Sequence, residues 1–172
     1  MMDRQILGHL VKNERYARAV IAFLKPDYFL EPPERLLFEL ISAYSNKYGT
    51  FPTKEALYLD LDAQVDQINE NKFKQCWDII SDIQTEEATD LKYLIDKTEE
   101  FCKDRALENA VRLAIEALDK TASKPIPKGS LPTLLQDALS VSFNVNIGHD
   151  YIDGAEARFE KYHEIHKRIG FD

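Results

Sequence analysis

The side chains best suited to chemistry lie late in the chain, in His163-Glu164-Ile165-His166. A zinc-protease helix needs its two histidines four residues apart, so that both rings reach one metal from the same face. These two are three apart, and the pattern misses by one residue. Glu160 and His163 do keep the spacing used in di-iron carboxylate bundles. Such sites also need a second pair and two more inward glutamates, and the sequence supplies neither. A solvated helix face is the better reading. His9 lies beside apolar positions of an N-terminal helix with no acidic partner in register, which predicts a structural imidazole with its hydrogen bonds satisfied. Lys128-Gly129-Ser130 has the wrong order for a phosphate-binding loop and no glycine-rich approach. No catalytic, cofactor-binding or metal-ligating residue is assigned.

Composition narrows the classes further. The chain has 172 residues, 22 basic and 30 acidic, for a net charge of −8. With 44% hydrophobic and 30% charged residues it can build a core and keep a polar surface. Six glycines make a nucleotide-binding domain of the Rossmann or P-loop type a poor fit. The acidic balance argues against a fragment that grips nucleic-acid phosphates by itself. That acidity is local: residues 51–119 hold 8 basic and 17 acidic side chains, while both flanks are near balance. A solvated acidic face, or one turned toward a basic partner, is expected there. Lys120, Lys124 and Lys128 form a small basic strip, with no acid between Lys120 and Gln136. Without interleaved aromatics it is a weak nucleic-acid signal. Cys76 and Cys102, each beside an aromatic, read as buried reduced thiols of a cytoplasmic chain. Apolar stretches are broken by charges every few residues, so no membrane span is expected.

The elements that position these groups follow a helical period almost throughout. Ile6, Leu7 and Leu10 open an amphipathic helix, and Ala17, Val20, Ile21 and Leu24 mark a second. Pro26 and Pro32-Pro33 are expected to interrupt helicity and stiffen a connector. Leu37, Leu40, Ile41, Tyr44 and Tyr48 share one side of the next helix, which Gly49 should stop. Thr53 is placed to cap a short helix through Leu57 and Leu61. Residues 62–71 are polar and turn-rich, and Phe73, Cys76, Trp77, Ile80 and Ile83 define the following helix.

Residues 90–122 are helical by propensity, yet their apolar stripe moves. Leu91, Leu94, Ile95, Thr98, Phe101 and Cys102 share one face. Leu107, Ala110, Val111, Ala114 and Leu118 share another, rotated by more than a quarter turn. Such a helix either packs on different neighbours along its length or breaks near Lys103–Arg105. In both cases its second half reads as an arm leaving the first packing unit. A loop at 121–130 and a returning helix with Leu131, Leu135 and Ala138 complete a hairpin that buries only one side and wants a partner. A last helix carries Phe159, Tyr162, His166 and Ile169 on a narrow stripe. The chain stops at Gly170-Phe171-Asp172, which reads as a cut within a longer polypeptide.

The all-α class thus comes with three expected parts: a globular helical domain over 1–102, a projecting hairpin over 103–143, and a linker with a helix over 144–172. Leu107, Val111, Leu118, Leu131, Leu135, Phe159, Tyr162, His166 and Ile169 are the candidate subunit-interface residues.

Several segments are familiar as a set. They are Gln5-Ile-Leu-Gly-His-Leu-Val-Lys-Asn13, Phe23-Leu-Lys-Pro-Asp-Tyr-Phe29, Leu37-Phe-Glu-Leu-Ile41 and Tyr48-Gly-Thr-Phe-Pro-Thr-Lys-Glu-Ala-Leu57. In this order they resemble the N-terminal domain of DnaB-like replicative helicases. Gln136-Asp-Ala-Leu-Ser-Val-Ser-Phe143, Gly148-His-Asp-Tyr151 and Glu156-Ala-Arg-Phe159 are similar to the hairpin-to-linker region of such helicases from large myovirus-type tailed bacteriophages.

That resemblance implies a collar of N-terminal domains paired through their hairpins, as dimers or a trimer of dimers in a hexameric ring. It implies a linker helix leading to an absent RecA-like motor, which would use ATP and magnesium to unwind DNA. It further implies primase and a helicase loader as partners, contact with DNA mainly through the motor, and the host cytoplasm as location. The alternative is a free-standing helical adaptor or helicase-loading protein, against which the acidic balance counts. A small helical metalloenzyme is a remote third reading.

Overall fold

A computed structural model describes residues 2–84, 90–118 and 127–143. The chain divides into two units, Met1–Ser142 and Phe143–Asp172, and the architecture below is that of the first. Seven α-helices and no strand occur among the described residues, so the class is all-α. They are α1 (Met2–Lys12), α2 (Glu14–Val20), α3 (Pro32–Tyr48), α4 (Lys54–Asp62), α5 (Glu70–Ser81), α6 (Leu91–Leu118) and α7 (Leu131–Leu139). Short 3-10 turns at Pro26–Tyr28, Val65–Gln67 and Lys128–Ser130 connect them.

Side-chain caps start several of the helices, because the first N–H groups of a helix have no partner within it. Asn13 Oδ1 accepts from the Tyr16 amide at 3.0 Å and starts α2 one residue after α1 ends. Thr53 Oγ1 accepts from the Ala56 amide at 3.2 Å, as the sequence predicts for α4. Gly49 ends α3 with φ of 69°, the left-handed conformation expected of it, and its carbonyl accepts from Arg18 at 3.2 Å. Asn69 caps α5 at 2.7 Å and draws its start forward to Glu70, inside the stretch expected to be turn.

The expectation for Pro32-Pro33 needs correction. Both lie inside the first turn of α3 rather than in a connector. Proline costs nothing there, since the amide it lacks would be unpaired anyway and its φ already suits a helix.

Helix α3 lies at the centre, packed against α1, α4, α5 and the turn at Pro26–Tyr28. Its Leu37, Phe38 and Ile41 are buried with Ile6, Leu7, Leu10, Tyr16, Val20, Leu57, Leu61 and Ile80. Phe29 stacks on Phe38 at 4.8 Å and meets the tilted ring of Phe101 at 6.0 Å, which fixes α6 to this core. Cys76 and Cys102 are free and buried, and desolvation pushes their thiols up to about 11 and about 12. They are inert core side chains, as expected. Trp77 departs from its expected place in the core. It is exposed on α5 and lies against Tyr58 at 4.2 Å and Phe73 at 6.0 Å. Tyr48 is likewise exposed, its ring 4.6 Å from that of Tyr44.

His9 is buried against Tyr16 with ring centroids 5.5 Å apart. Its Nδ1 meets no hydrogen-bond partner, so the expectation of a satisfied imidazole does not hold. Burial lowers its pKa. Neutral imidazole tolerates this site at a cost that the charged form would multiply.

Candidate subunit interface on helix α6

Helix α6 runs unbroken through Lys103–Arg105, so the shift of its apolar stripe is a change of neighbours within one helix. Its first half turns Leu94, Thr98, Phe101 and Cys102 into the core. Arg105 marks the crossover. Its guanidinium lies over the Phe101 ring at 5.3 Å, 3.6 Å from Asp3 Oδ1 on α1, and donates to Glu108 at 2.7 Å.

Beyond Arg105 the helix is still tethered. Asn109 Nδ2 donates to the Asp27 carbonyl at 3.0 Å and to its carboxylate at 3.2 Å, while its Oδ1 accepts from Arg112 at 3.1 Å. Ala106, Ala110 and Ala117 are buried on the side that faces α7, where Leu113, Leu134, Ala138 and Val141 close a narrow crevice. Alanines at these positions let two helices approach closely. Ser142 Oγ donates to Glu99 at 3.2 Å and holds the returning chain near the crossover.

The opposite side of the second half has no such cover within the described residues. Leu107, Val111, Ile115 and Leu118 are 40%, 45%, 64% and 61% exposed. Spaced by four, four and three, they form one straight row on the helix surface. Glu108, Arg112 and Glu116 flank it and make the walls of a shallow apolar trough. Such a row is the kind of surface that marks a protein contact.

The sequence-predicted residues separate accordingly. Leu107, Val111 and Leu118 are brought together on the open row. Ala110, grouped with them by spacing, turns inward instead. Ile115 was missed, although its spacing of four from Val111 announces it, and exposed Leu139 on α7 was missed too. Leu131 and Leu135 are half-buried on α7. Phe159, Tyr162, His166 and Ile169 lie outside the described residues, as do Glu160, His163, Lys120 and Lys124. Among the described residues no three His, Cys, Asp or Glu side chains gather to hold a metal ion, and no helix is long and apolar enough to cross a membrane.

No protein-family profile matches the chain. A DnaB-like replicative helicase of Enterobacteria phage T4 is 29% identical to it over 174 residues. The match covers 96% of this chain and 36% of that protein, so the chain spans about a third of the relative's length. Over nearly its whole length, then, this all-helical chain is similar to one part of a DnaB-like replicative helicase.

Proposed function

We propose that this chain is the collar part of a replicative DNA helicase: a non-catalytic helical domain that joins subunits to one another and engages primase, or a helicase loader, at the replication fork. The open row Leu107, Val111, Ile115 and Leu118 on α6 carries the reading. Fully burying a large aliphatic side chain contributes ~1.5–3 kcal/mol, so four per subunit are enough to drive assembly once association entropy is offset. Similarity to a phage replicative helicase supports a role tied to that machinery. In this reading the complete protein also carries a RecA-like motor that uses ATP and magnesium to unwind DNA, and the collar closes into a hexameric ring through paired hairpins.

Light scattering over a concentration series tests the collar reading. The chain is expected to associate, and Val111→Asp to abolish association while helicity and melting temperature in dilute solution stay unchanged. A native chain monomeric at every concentration would refute it. The motor is tested by the source reading frame, which should encode a P-loop within several dozen codons past Asp172. A stop codon there would favour the free-standing adaptor instead.

A further inference from the structure

Helices α4 and α5 pack on α3 and on each other, burying Leu57, Leu61, Cys76, Ile79 and Ile80. Their outer side is not finished in polar residues alone. Trp77 is exposed there, with Tyr58 at 4.2 Å and Phe73 at 6.0 Å from its ring, and those two are only half-buried. Leu59 and Val65 are exposed on the same segment. The three rings make a ledge across the seam between the two helices. Lys54 Nζ donates to the Ser81 carbonyl at 3.0 Å, and Cys76 Sγ to that of Pro33 at 3.6 Å, so the ledge stands on a braced support.

The rim of the ledge is acidic. Residues 54–84 hold seven acidic and three basic side chains. Helical spacing sets Asp62 beside Tyr58 and Glu70 beside Phe73, while Asp78 follows Trp77 directly. All three carboxylates are exposed, and none forms an ion pair among the described residues. Glu55 lies in the field of Lys12 and Lys54 and is left out of the rim. Lys54 is committed to Ser81, and Lys74 lies one turn from Trp77 on α5.

From this pairing of rings and unpaired carboxylates we propose that the α4–α5 ledge docks an arginine-bearing amphipathic segment of a partner protein. The proposal rests on the partner-binding half of the collar reading and adds the place and the chemistry of the contact. A guanidinium is attracted to an indole face and keeps donors at its edge for carboxylates. Tryptophan, tyrosine and arginine are also the side chains on which protein contacts concentrate their energy. Charge disfavours the rival occupants. A nucleic acid would bring phosphates against Asp62, Glu70 and Asp78, and a second copy would bring a further net charge of −8.

Trp77 is the only tryptophan in the chain, so its fluorescence reports on this site alone. The probe is a synthetic amphipathic peptide with leucine on one face and arginine around it; a matched peptide carries glutamate in place of arginine. The 172-residue chain should bind the arginine peptide, with Trp77 emission moving to shorter wavelength and becoming less open to quenching by acrylamide. Calorimetry should show Trp77→Ala and Asp62→Lys/Asp78→Lys each weakening binding by about tenfold or more, with circular dichroism unchanged. The second variant alters only exposed side chains and keeps the tryptophan, so a folding defect in Trp77→Ala would leave the test intact. Binding with Trp77 emission unmoved, equal binding of the glutamate peptide, or tighter binding of oligo(dT) would overturn the site. Val111→Asp separates this site from the subunit contact. If that variant dissociates while neither peptide binds, the subunit contact stands and the ledge falls. If the native chain is monomeric yet the arginine peptide covers Trp77, the subunit contact fails and the ledge stands.

Discussion

The phenol of Tyr16 donates to Thr98 Oγ1 at 2.7 Å, joining α2 to α6 across 82 residues of sequence. The direction follows from the hydroxyl count. Thr98 spends its one proton on the Leu94 carbonyl at 2.8 Å, so the bond to Tyr16 must be made with the tyrosine proton. Both side chains are buried. Tyr16→Phe removes the donor and leaves Thr98 still bonded to Leu94, which should cost about 0.5–1.5 kcal/mol. Thr98→Val strands the tyrosine hydroxyl away from water, which should cost about 1–3 kcal/mol. Urea unfolding should therefore rank Thr98→Val as the more destabilising. The double variant should be less destabilised than the sum of the two.

Asn109 ties the far half of α6 to the turn at Asp27 with an uncharged donor, and the carboxylate of Asp27 is 3.2 Å away. Asn109→Asp would set two carboxylates at that separation, one at a buried position and the other on the exposed Asp27. Like charges so close raise the pKa of one of them and destabilise the fold while both are ionised. The variant should be less stable than the native chain at about pH 7, and the gap should narrow near pH 4, where one carboxyl takes up a proton. Thermal melts at the two pH values check this. An Asn109→Asp variant equally destabilised at both would mean that the lost amide donor, and not charge, sets the cost.

His9 gives a separate pH dependence. In the unfolded chain an imidazole titrates near 6.5, and burial holds the folded value below that. As pH falls, the unfolded chain takes up the proton first. Stability from the neutral buried ring is thus whole above about 6.5, declines as pH falls through that value, and levels off below the folded pKa. Melting temperature should drop between about pH 7.5 and pH 5.5. His9→Phe keeps a ring against Tyr16 and should remove part of the drop. A drop of unchanged size in His9→Phe would place its origin in other groups.

What the sequence made legible was mainly local. Gly49 and Thr53 act on backbone groups within four residues of themselves, and their roles follow from residue type alone. The helical class follows from periodicity, and Cys76 and Cys102 from their apolar company. Three features needed the tertiary structure. Pro32-Pro33 could break a helix or begin one, and only the path of the preceding chain decides. Trp77 keeps the spacing of a core residue but lies on the margin of its face, where a large ring can lean outward on Tyr58. The bonds from Asn109 to Asp27 cross 82 residues, and no local pattern announces them. Within the candidate interface, Leu107, Val111 and Leu118 were read from spacing, but alanine and leucine counted alike in that pattern. Side-chain volume, which decides where α7 can approach, did not enter it.

That distinction gives a sharp contrast between two neighbouring residues. Ala110 is buried where α6 meets α7, and Val111 beside it is 45% exposed on the open row. Ala110→Leu would force three extra carbon atoms into a contact built for a methyl group, and overpacking of this kind costs about 1–3 kcal/mol. Val111→Ala touches neither α7 nor the core, and surface truncations typically change stability by no more than about 0.5 kcal/mol. In dilute solution, where association does not contribute, unfolding should show a large loss for Ala110→Leu and almost none for Val111→Ala. In concentrated solution the order of effect on association should reverse, because in the proposed collar a second copy covers the valine. If both substitutions changed dilute-solution stability equally, the two faces of α6 would not differ as described, and the open row would lose its standing as an interface.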